Sequence, residues 1–592
     1  MWLFYFLLAV CFAKINVPHG GDVSELLLMF IFMSVVFKCL PVTSVCEKNI
    51  SQILSKIQNN FVTSWVKVNL LKMPTILGLD RFQITFSSLE DTISADNEVR
   101  FIDAFVDKLD LKKLEIKSLC QTEKQKAGRA SFEDALFLKL YLYGYLNGIR
   151  SSRRLEKETI RNVELQWLLK GLQPNYHTIA DFRKINPNAL KNLFKLFVLF
   201  LKDAGLIGGQ VMAVDGTKIR GNNSKKNNYN PKKIERHLAY IESKADEYIQ
   251  QLETEDQDEN NTSGIQITAI KEKLERLKEH KIKYETLQKQ IDESGEPQIS
   301  TTDPDARALL VRGVVVEVGY NVQAAVDAEH SLVIATHTIN RNDKNALYDI
   351  SKEAKENIAQ EAITVLADKG CHTGKELQAC QEAGIDTIVA RQEIVNSNDK
   401  GTQPEYLVQH FVYDKESDTY TCPQGQTLHT TGKLHTKKRD KDISYQFKKY
   451  RTSACNSCPV KHLCTGRHDG RREIERSEYA VAVERNKSNY EANTALYRKR
   501  QEINEHIFGT IKRQWNLYYT NLRGSEKVNG ELALIMTVYN MKRSKNILGF
   551  EKLMEFLQNW TPKYPGGTCF GKKRAHISLI KPLYFLQQKI AA

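Results

Sequence analysis

The sequence predicts an all-α segment leading into a mixed α/β sheet that two insertions interrupt. Three observations predict it. Apolar residues recur at helical spacing from Ser88 to about Gly208, and short apolar runs then alternate with helical stretches as far as Arg391. A heptad seam and a Cys-rich stretch break that alternation at two places.

In the all-α segment, FEDALFLKLYLYGYLNG sets Leu136, Leu140, Tyr143 and Leu146 at spacings of three and four, a stripe that must face other helices. IRSSRRLEKE follows, where Ser151 or Ser152 caps a helix opening with Arg153 and Arg154. NYHTIADFRKINPNALKNLFKLFVLFLKDAG repeats the scheme, with Thr178 as the expected cap and Pro187 and Gly205 as breaks. Short helices with basic first turns fit two descriptions equally well. One is a helix-turn-helix that grips DNA phosphates through Arg153 and Arg154; the other is a plain bundle with a solvated basic face.

GQVMAVDGTKIRGNN is a short apolar run that ends in Asp215. Ile234, Leu238, Ile241, Ala245, Tyr248 and Leu252 then step by four and three, and ETEDQDENNTSG makes a polar bend. Ile267, Ile270, Leu274, Leu277, Tyr284 and Ile291 return with the same rhythm, interrupted by Lys281 and Gln288, so residues 231–293 form an antiparallel helical hairpin. VGYNVQAAVDAEHSLVIATHTI reads as two strands around a turn at Asp327 to His330, and ALYDISKEAKENIA as a helix. AITVLADKGCHTGKEL is a buried strand ending in Asp368; KELQACQEAGI is a helix and DTIVAR a further strand. Late in the chain, NTALYRKRQEINEHIFGTIKRQWN is a helix with Ile503, Ile507 and Ile511 on one side, and more helix runs through GELALIMTVYNMKRSKNILGF.

At 592 residues the chain is too long for one core, and three or four units are expected. The formal charge of +14 favours a polyanionic partner. Eleven Cys in a long chain, four of them clustered late, suit a reducing compartment and a metal site better than a disulfide framework, which places the protein in the cytoplasm. MWLFYFLLAVCFA and LLLMFIFMSVVFKCL stand apart in composition. The first has no Lys or Arg before it and the second is shorter than the roughly 20 residues of a spanning helix. Residues 1–72 therefore read as an extension upstream of a natural start at Met73, with a signal peptide or membrane anchor as the alternative.

Two strand-ending acids, Asp215 and Asp368, point into one cleft if their strands are neighbours. Glu505 lies opposite the Ile face of the late helix, seven residues before Lys512, and seven residues is close to two turns, so the two share a face with Arg498. Three converging acids repel unless a cation joins them; Mg²⁺ prefers carboxylate and water oxygens and bridges to phosphates. Two Mg²⁺ (or Mn²⁺) ions roughly 4 Å apart would clamp an in-line displacement at a phosphodiester, with Lys512 and a nearby Arg holding flanking phosphates. Each acid alone has an ordinary explanation, a turn for Asp215 in DGT and an exposed helix position for Glu505. Cys422, Cys455, Cys458 and Cys464 contain one Cys-x-x-Cys and match a tetrahedral structural Zn²⁺, against reduced thiols that ligate nothing. The nearby KKRDKDISYQFKKYR reads as a basic, aromatic strand that tracks DNA or as a solvated edge.

SLEDTISADNEVRFIDAFVDKLDL, LKLYLYGYLNGIRSSRRLE, HTIADFR, AVDGTKIRGNNS, GYNVQAAVD, LADKGCHTGKEL and RKRQEINEHIFGTIKR occur in this order over about five hundred residues. Together they resemble a DDE transposase of bacterial insertion sequences, with an InsH-type helical N-terminal domain and an RNase H-like catalytic domain. The resemblance implies Asp215, Asp368 and Glu505 as the first, second and third acids. Related families set a Tyr and an Arg before the Glu and a Lys after six intervening residues. Lys512 keeps that spacing, whereas Tyr497 and Arg500 fall one position too far from Glu505. Tyr497, Arg498, Arg500 and Lys512 are the implied DNA contacts.

The implied layout is a helical DNA-binding domain over 73–208 and an RNase H-like core over 209–391 carrying the hairpin. A Cys-rich basic insertion over 392–480 follows, and the core is completed with C-terminal helices over 481–592. Such a protein would bind the terminal inverted repeats of its element and target DNA as a homodimer or larger synaptic complex, with no small-molecule substrate. An RNase H-like nuclease and a non-catalytic DNA-binding derivative are the alternatives.

Overall fold

The helical segment is built from α1 (Glu98–Asp107), α2 (Asp134–Leu146), α3 (Ser152–Arg161), α4 (Val163–Leu168), α5 (Tyr176–Ile185) and α6 (Pro187–Asp203). The one-sided stripe expected of α2 is not what forms. Every residue from Leu136 to Tyr145 is buried, so α2 is a core helix that is apolar all round, and its one buried cation, Lys139, is met by Asp103 and Asp107, each at 2.6 Å. The cap of α5 is Asn175, whose side chain accepts from the Thr178 amide at 2.9 Å; Thr178 supplies the capped N–H instead. Pro187 at the first turn of α6 and Gly205 at φ +70° fall at the expected breaks.

The computed structural model describes residues 82–84, 86–119, 131–257, 264–311, 315–391, 402–440, 443–467 and 471–564. The apolar runs of residues 1–72 and the proposed start at Met73 lie outside them. The described residues from Ser87 onward form one compact unit. Among the described residues, no helix is long and apolar enough to cross a membrane.

The sheet path is β4 (Arg307–Val311), β5 (Val315–Asp327), β1 (Val211–Arg220), β7 (Ile363–Ala367), β8 (Ile385–Val389), with β6 (Val333–Ile339) also on β5. β5 is long enough to hold two partners on one edge, β4 along Val315–Gly319 and β6 along Asn321–Val326. β1 pairs antiparallel with β5 and parallel with β7, and β7 parallel with β8, so the sheet is mixed, as expected. Parallel neighbours need crossovers, supplied by α9 (Leu347–Asn357) and α10 (Gly374–Glu382). With the helical N-terminal segment, this is the mixed α/β arrangement of an RNase H-like fold.

Between β1 and β4 the chain leaves the sheet as the helical hairpin α7 (Pro231–Gln257) and α8 (Gly264–Ser294), closed at its base by β2 (Asn228–Tyr229) against β3 (Ile299–Ser300). Its seam buries Ile234, Ile241, Ile270 and Ile291; Leu287, which the heptad reading passed over, joins them. The Cys-rich stretch makes a second sheet, β9 (Val412–Asp414) to β13 (Ile474–Ser477) in the order β13-β12-β11-β10-β9, where β10 is Thr419–Thr421, β11 Thr427–Asp440 and β12 Ile443–Arg451. A short α11 (Lys461–Cys464) precedes β13. The chain then returns to the first sheet through α12 (Ala480–Ala492), α13 (Thr494–Arg513), α14 (Ser525–Leu548) and α15 (Phe550–Asn559).

Two helices close the sheet edges with amide side chains. Asn540 of α14 exchanges two hydrogen bonds with the Val333 backbone of β6, at 2.9 and 2.8 Å, and Asn486 of α12 does the same for Val389 of β8, at 3.0 and 2.8 Å. Each Asn satisfies backbone groups that an open edge would leave bare.

Candidate active site

The last parallel pair between β1 and β7 is Val214 with Ala367. One residue further on, Asp215 and Asp368 therefore emerge side by side. Asp215 does not end its strand, however: β1 continues to Arg220, paired with β5 and, at Arg220, bridged to Tyr519, because β7 turns away at Asp368 into a 3₁₀ turn over Lys369–Cys371. The acid thus sits where one neighbour leaves and a cleft opens.

Arg500 of α13 spans the two carboxylates, with Nη1 at 3.6 Å from Asp215 Oδ2 and Nη2 at 3.4 Å from Asp368 Oδ1. Its side chain is 11% exposed and its Nε is buried without a partner, so the guanidinium is committed to the acids. Burial pushes the Asp215 carboxyl up to about 6; the Gly216 amide, donating to Oδ1 at 2.7 Å, and Arg500 oppose the rise, and Asp343 and Asp368 add to it. Two nearby carboxylates and too little positive charge describe a site that calls for a cation.

Lys512 comes off the same helix and donates to Thr217 Oγ1 and, at 3.5 Å, to the Lys218 carbonyl, so it stands beside β1 two residues past Asp215. Glu505 is exposed on α13. Arg500, Asn504, Ile507 and Ile511 share the face against the sheet; Glu505 lies about 140° around from Arg500, on the side that Lys512 shares, and Lys512 meets β1 from there one helical turn past Phe508 with its longer side chain. Asn504 is 1% exposed with both amide atoms unpartnered. Arg498 is exposed on the same side as Glu505, and Tyr497 lies beneath Arg500, with the guanidinium 5.7 Å from its ring centroid. In the helical segment Arg154 is exposed and Arg153 lies over the Tyr176 ring at 5.0 Å.

One carboxylate escaped the sequence reading. Asp343, in the loop between β6 and α9, accepts from Asn321 Nδ2 at 2.8 Å and Gln323 Nε2 at 2.9 Å. It and Asp368 flank Gly370, and a Cβ there would lie 3.9 Å from both. Gly216 admits this cluster to the strand, since a Cβ would meet Gln323 Nε2 at 2.2 Å and Asp343 Oδ1 at 2.3 Å. Asp343 follows a strand as Asp368 does, in RNDKN after ATHTI, and that repeat was the available signal.

Among the described residues, no three His, Cys, Asp or Glu side chains are grouped closely enough to hold a metal ion unaided. The donor set is nonetheless the hard-oxygen kind that Mg²⁺ takes, and such a site keeps waters and recruits ligands from its phosphate substrate. DDE transposases as a family depend on divalent metal.

Two family models match the chain. A transposase DDE domain matches residues 421–544, taking in the Cys-rich sheet from Thr421 and all of α13, and a transposase domain (DUF772) matches residues 87–185, the helical segment. No curated protein and no solved structure matches. These matches, over residues 87–185 and 421–544, support a DDE transposase of the insertion-sequence type, a family whose name implies DNA binding.

Proposed function

We propose that the protein binds the ends of its own insertion sequence and catalyses strand cleavage and strand transfer at Asp215, Asp368 and Glu505. The observation that carries this is the pair Asp215 and Asp368, adjacent at the point where β7 parts from β1 and joined by one guanidinium, in a chain with two transposase matches. In cleavage, water oxygen bonds to the phosphorus at the element end and the P–O3′ bond breaks, freeing a 3′-OH. In transfer, that hydroxyl attacks a target phosphorus and displaces the target's own O3′. Both steps need positioning and charge, not a protein nucleophile.

Asp215 and Asp368 would hold the divalent ions, which supply a deprotonated attacking oxygen and charge neutralisation when bound. Arg500, which neutralises the two acids now, would release them to the ions and turn to the DNA phosphates. Glu505 would complete the ligand set as DNA brings α13 and substrate together, and Lys512, on its side of the helix, would hold a flanking phosphate. Asp343 would orient the cleft through Asn321 and Gln323. The basic faces at Arg153, Arg154 and Arg498 suit duplex DNA, and two ends held together call for at least a dimer.

The test uses the full chain, Mg²⁺ and a labelled duplex carrying the DNA that flanks its gene. A nick at the element boundary leaving a 3′-OH is expected, with loss in Asp215→Ala, Asp368→Ala and Glu505→Ala. Retained nicking in any variant removes that residue from the assignment. Equal cleavage of random duplex would replace the reading with a sequence-tolerant nuclease.

A further inference from the structure

The second sheet poses a physical problem of its own. Its core consists of Phe411, Tyr420, Leu428, Tyr450 and Ile474, too little apolar burial to hold five strands unaided. Against that core lies a small cavity of about 30 Å³, room for one water-sized particle, and its lining includes Cys422, Cys455, Cys458, Cys464 and Arg472. All four thiols are free, and they come from two turns.

The first turn is Cys422-Pro423-Gln424-Gly425-Gln426. The Gly425 amide donates to the Cys422 carbonyl at 2.8 Å with Gly425 at φ +73°, and the Gln426 amide points at Cys422 Sγ, 3.3 Å away. An amide in that position is placed to donate to a metal-bound sulfur. The second turn runs from Cys455, in the 3₁₀ segment Ser453–Ser457, through Cys458 to Cys464 at the end of α11; the Lys461 amide donates to the Cys458 carbonyl at 3.2 Å. Arg472 contributes an independent observation. Its guanidinium donates to Thr402 Oγ1 and the Tyr406 carbonyl, but its buried Nε has no partner. A half-buried cation whose buried Nε is left without a partner beside a wall of thiols suits negative charge there.

We infer that Cys422, Cys455, Cys458 and Cys464 bind one structural Zn²⁺, with Arg472 offsetting the net negative charge of the tetrathiolate site. The thiols line one cavity without converging on a point, so binding draws them inward by rotation about their side-chain bonds, and four protons leave to solvent as the thiolates form. The ion ties the β10–β11 turn to the segment before β13. From β13 the chain passes through Tyr479, packed on Gly374 of α10, into α12 and α13, so the metal steadies the approach to the helix that carries Arg500 and Lys512. This reading is independent of the cleavage chemistry.

The full-length protein, purified without chelator, is expected to hold about one Zn²⁺ per chain by elemental analysis, falling to background in Cys455→Ser and Cys458→Ser. Co²⁺ in place of Zn²⁺ should give the visible bands and near-ultraviolet charge transfer of a tetrahedral thiolate site. Because the Ser variants risk misfolding, Cys422→His supplies the control: it should keep the metal and the fold while altering the Co²⁺ spectrum. A wild-type protein that folds with less than about a tenth of an equivalent of zinc, and whose four thiols react freely before any chelation, would overturn the inference.

Discussion

The two sheets of this molecule are held together in different ways. Around β1 and β7 the strands are buried on both faces: Val214, Val365, Leu366 and Ala367 are all fully inaccessible, and α14 is buried along most of its 24 residues. The β9–β13 sheet has its five-residue core and surface pairs such as Lys437 with Glu475. Such pairs contribute at most about 1 kcal/mol each. They also bear on partner choice, because the basic residues of KKRDKDISYQFKKYR that looked ready for DNA are partly neutralised within the sheet. Lys448 meets Asp418 at 2.7 Å and Arg451 meets Glu473. Stability thus rests on apolar burial in the first sheet, while the second calls for the metal proposed at its four Cys.

The contrast can be broken hardest at Glu531. It is 1% exposed on α14, accepts from Arg150 Nη2 at 2.8 Å and from the Asn521 amide at 2.9 Å, and faces Arg183 at 4.0 Å. Burial pushes its carboxyl up, but the Arg183 and Arg150 guanidiniums outweigh this and hold it below its ordinary value. Glu531→Ala leaves two buried cations unpaired and should cost about 3–5 kcal/mol in denaturant unfolding. Hydrogen exchange should show the loss in α2, α5 and α14 while β9–β13 keep their protection. Next in size, Leu366→Ala should cost about 2–5 kcal/mol and be indifferent to chelator. Leu428→Ala, its counterpart in the smaller core, should raise exchange only in β9–β13. Gly216→Ala follows at about 1–3 kcal/mol, since its methyl collides with Asp343 and Gln323, and it should depress strand cleavage more than it depresses stability.

Much of this was legible in the sequence because period and punctuation are local signals. The heptads of α7 and α8, the turn at Asp327 and the Gly205 break all depend on neighbours within a few residues. Asp215 and Asp368 were legible for the same reason, as acids closing apolar runs. What escaped depends on pairing between distant segments. The edge strand β4 was missed because Arg307–Val311 is short and gains its identity only from β5. Asp343 was missed because only the folded sheet sets Asn321 and Gln323 beneath it. The contact of Arg500 with the two acids escaped for a related reason: the resemblance implied a DNA contact, and only the angle of α13 on the sheet sets its guanidinium between Asp215 and Asp368.

The smallest effect, and the one that separates burial from charge at the candidate centre, is the pH dependence of Asp215. Its folded value of about 6 lies above the ordinary 3.8, so between those values the folded state holds the proton more tightly than the unfolded chain. The sign follows: stability falls as pH rises from 3.8 to about 6, and the penalty persists above that. Asp215→Asn carries no titrating proton and escapes the penalty. Arg500 loses one partner but keeps Asp368 at 3.4 Å, and Asp215 is about a third exposed, which moderates the gain. The variant should therefore melt at a higher temperature than wild type at pH 7, with the gap closing as pH approaches 4. Adding Mg²⁺ at pH 7 should raise the wild-type melting temperature by more than that of Asp215→Asn, which keeps Asp368 but loses the other carboxylate that would hold the ion. A gap constant across pH would mean that packing, not the buried charge, separates the two proteins.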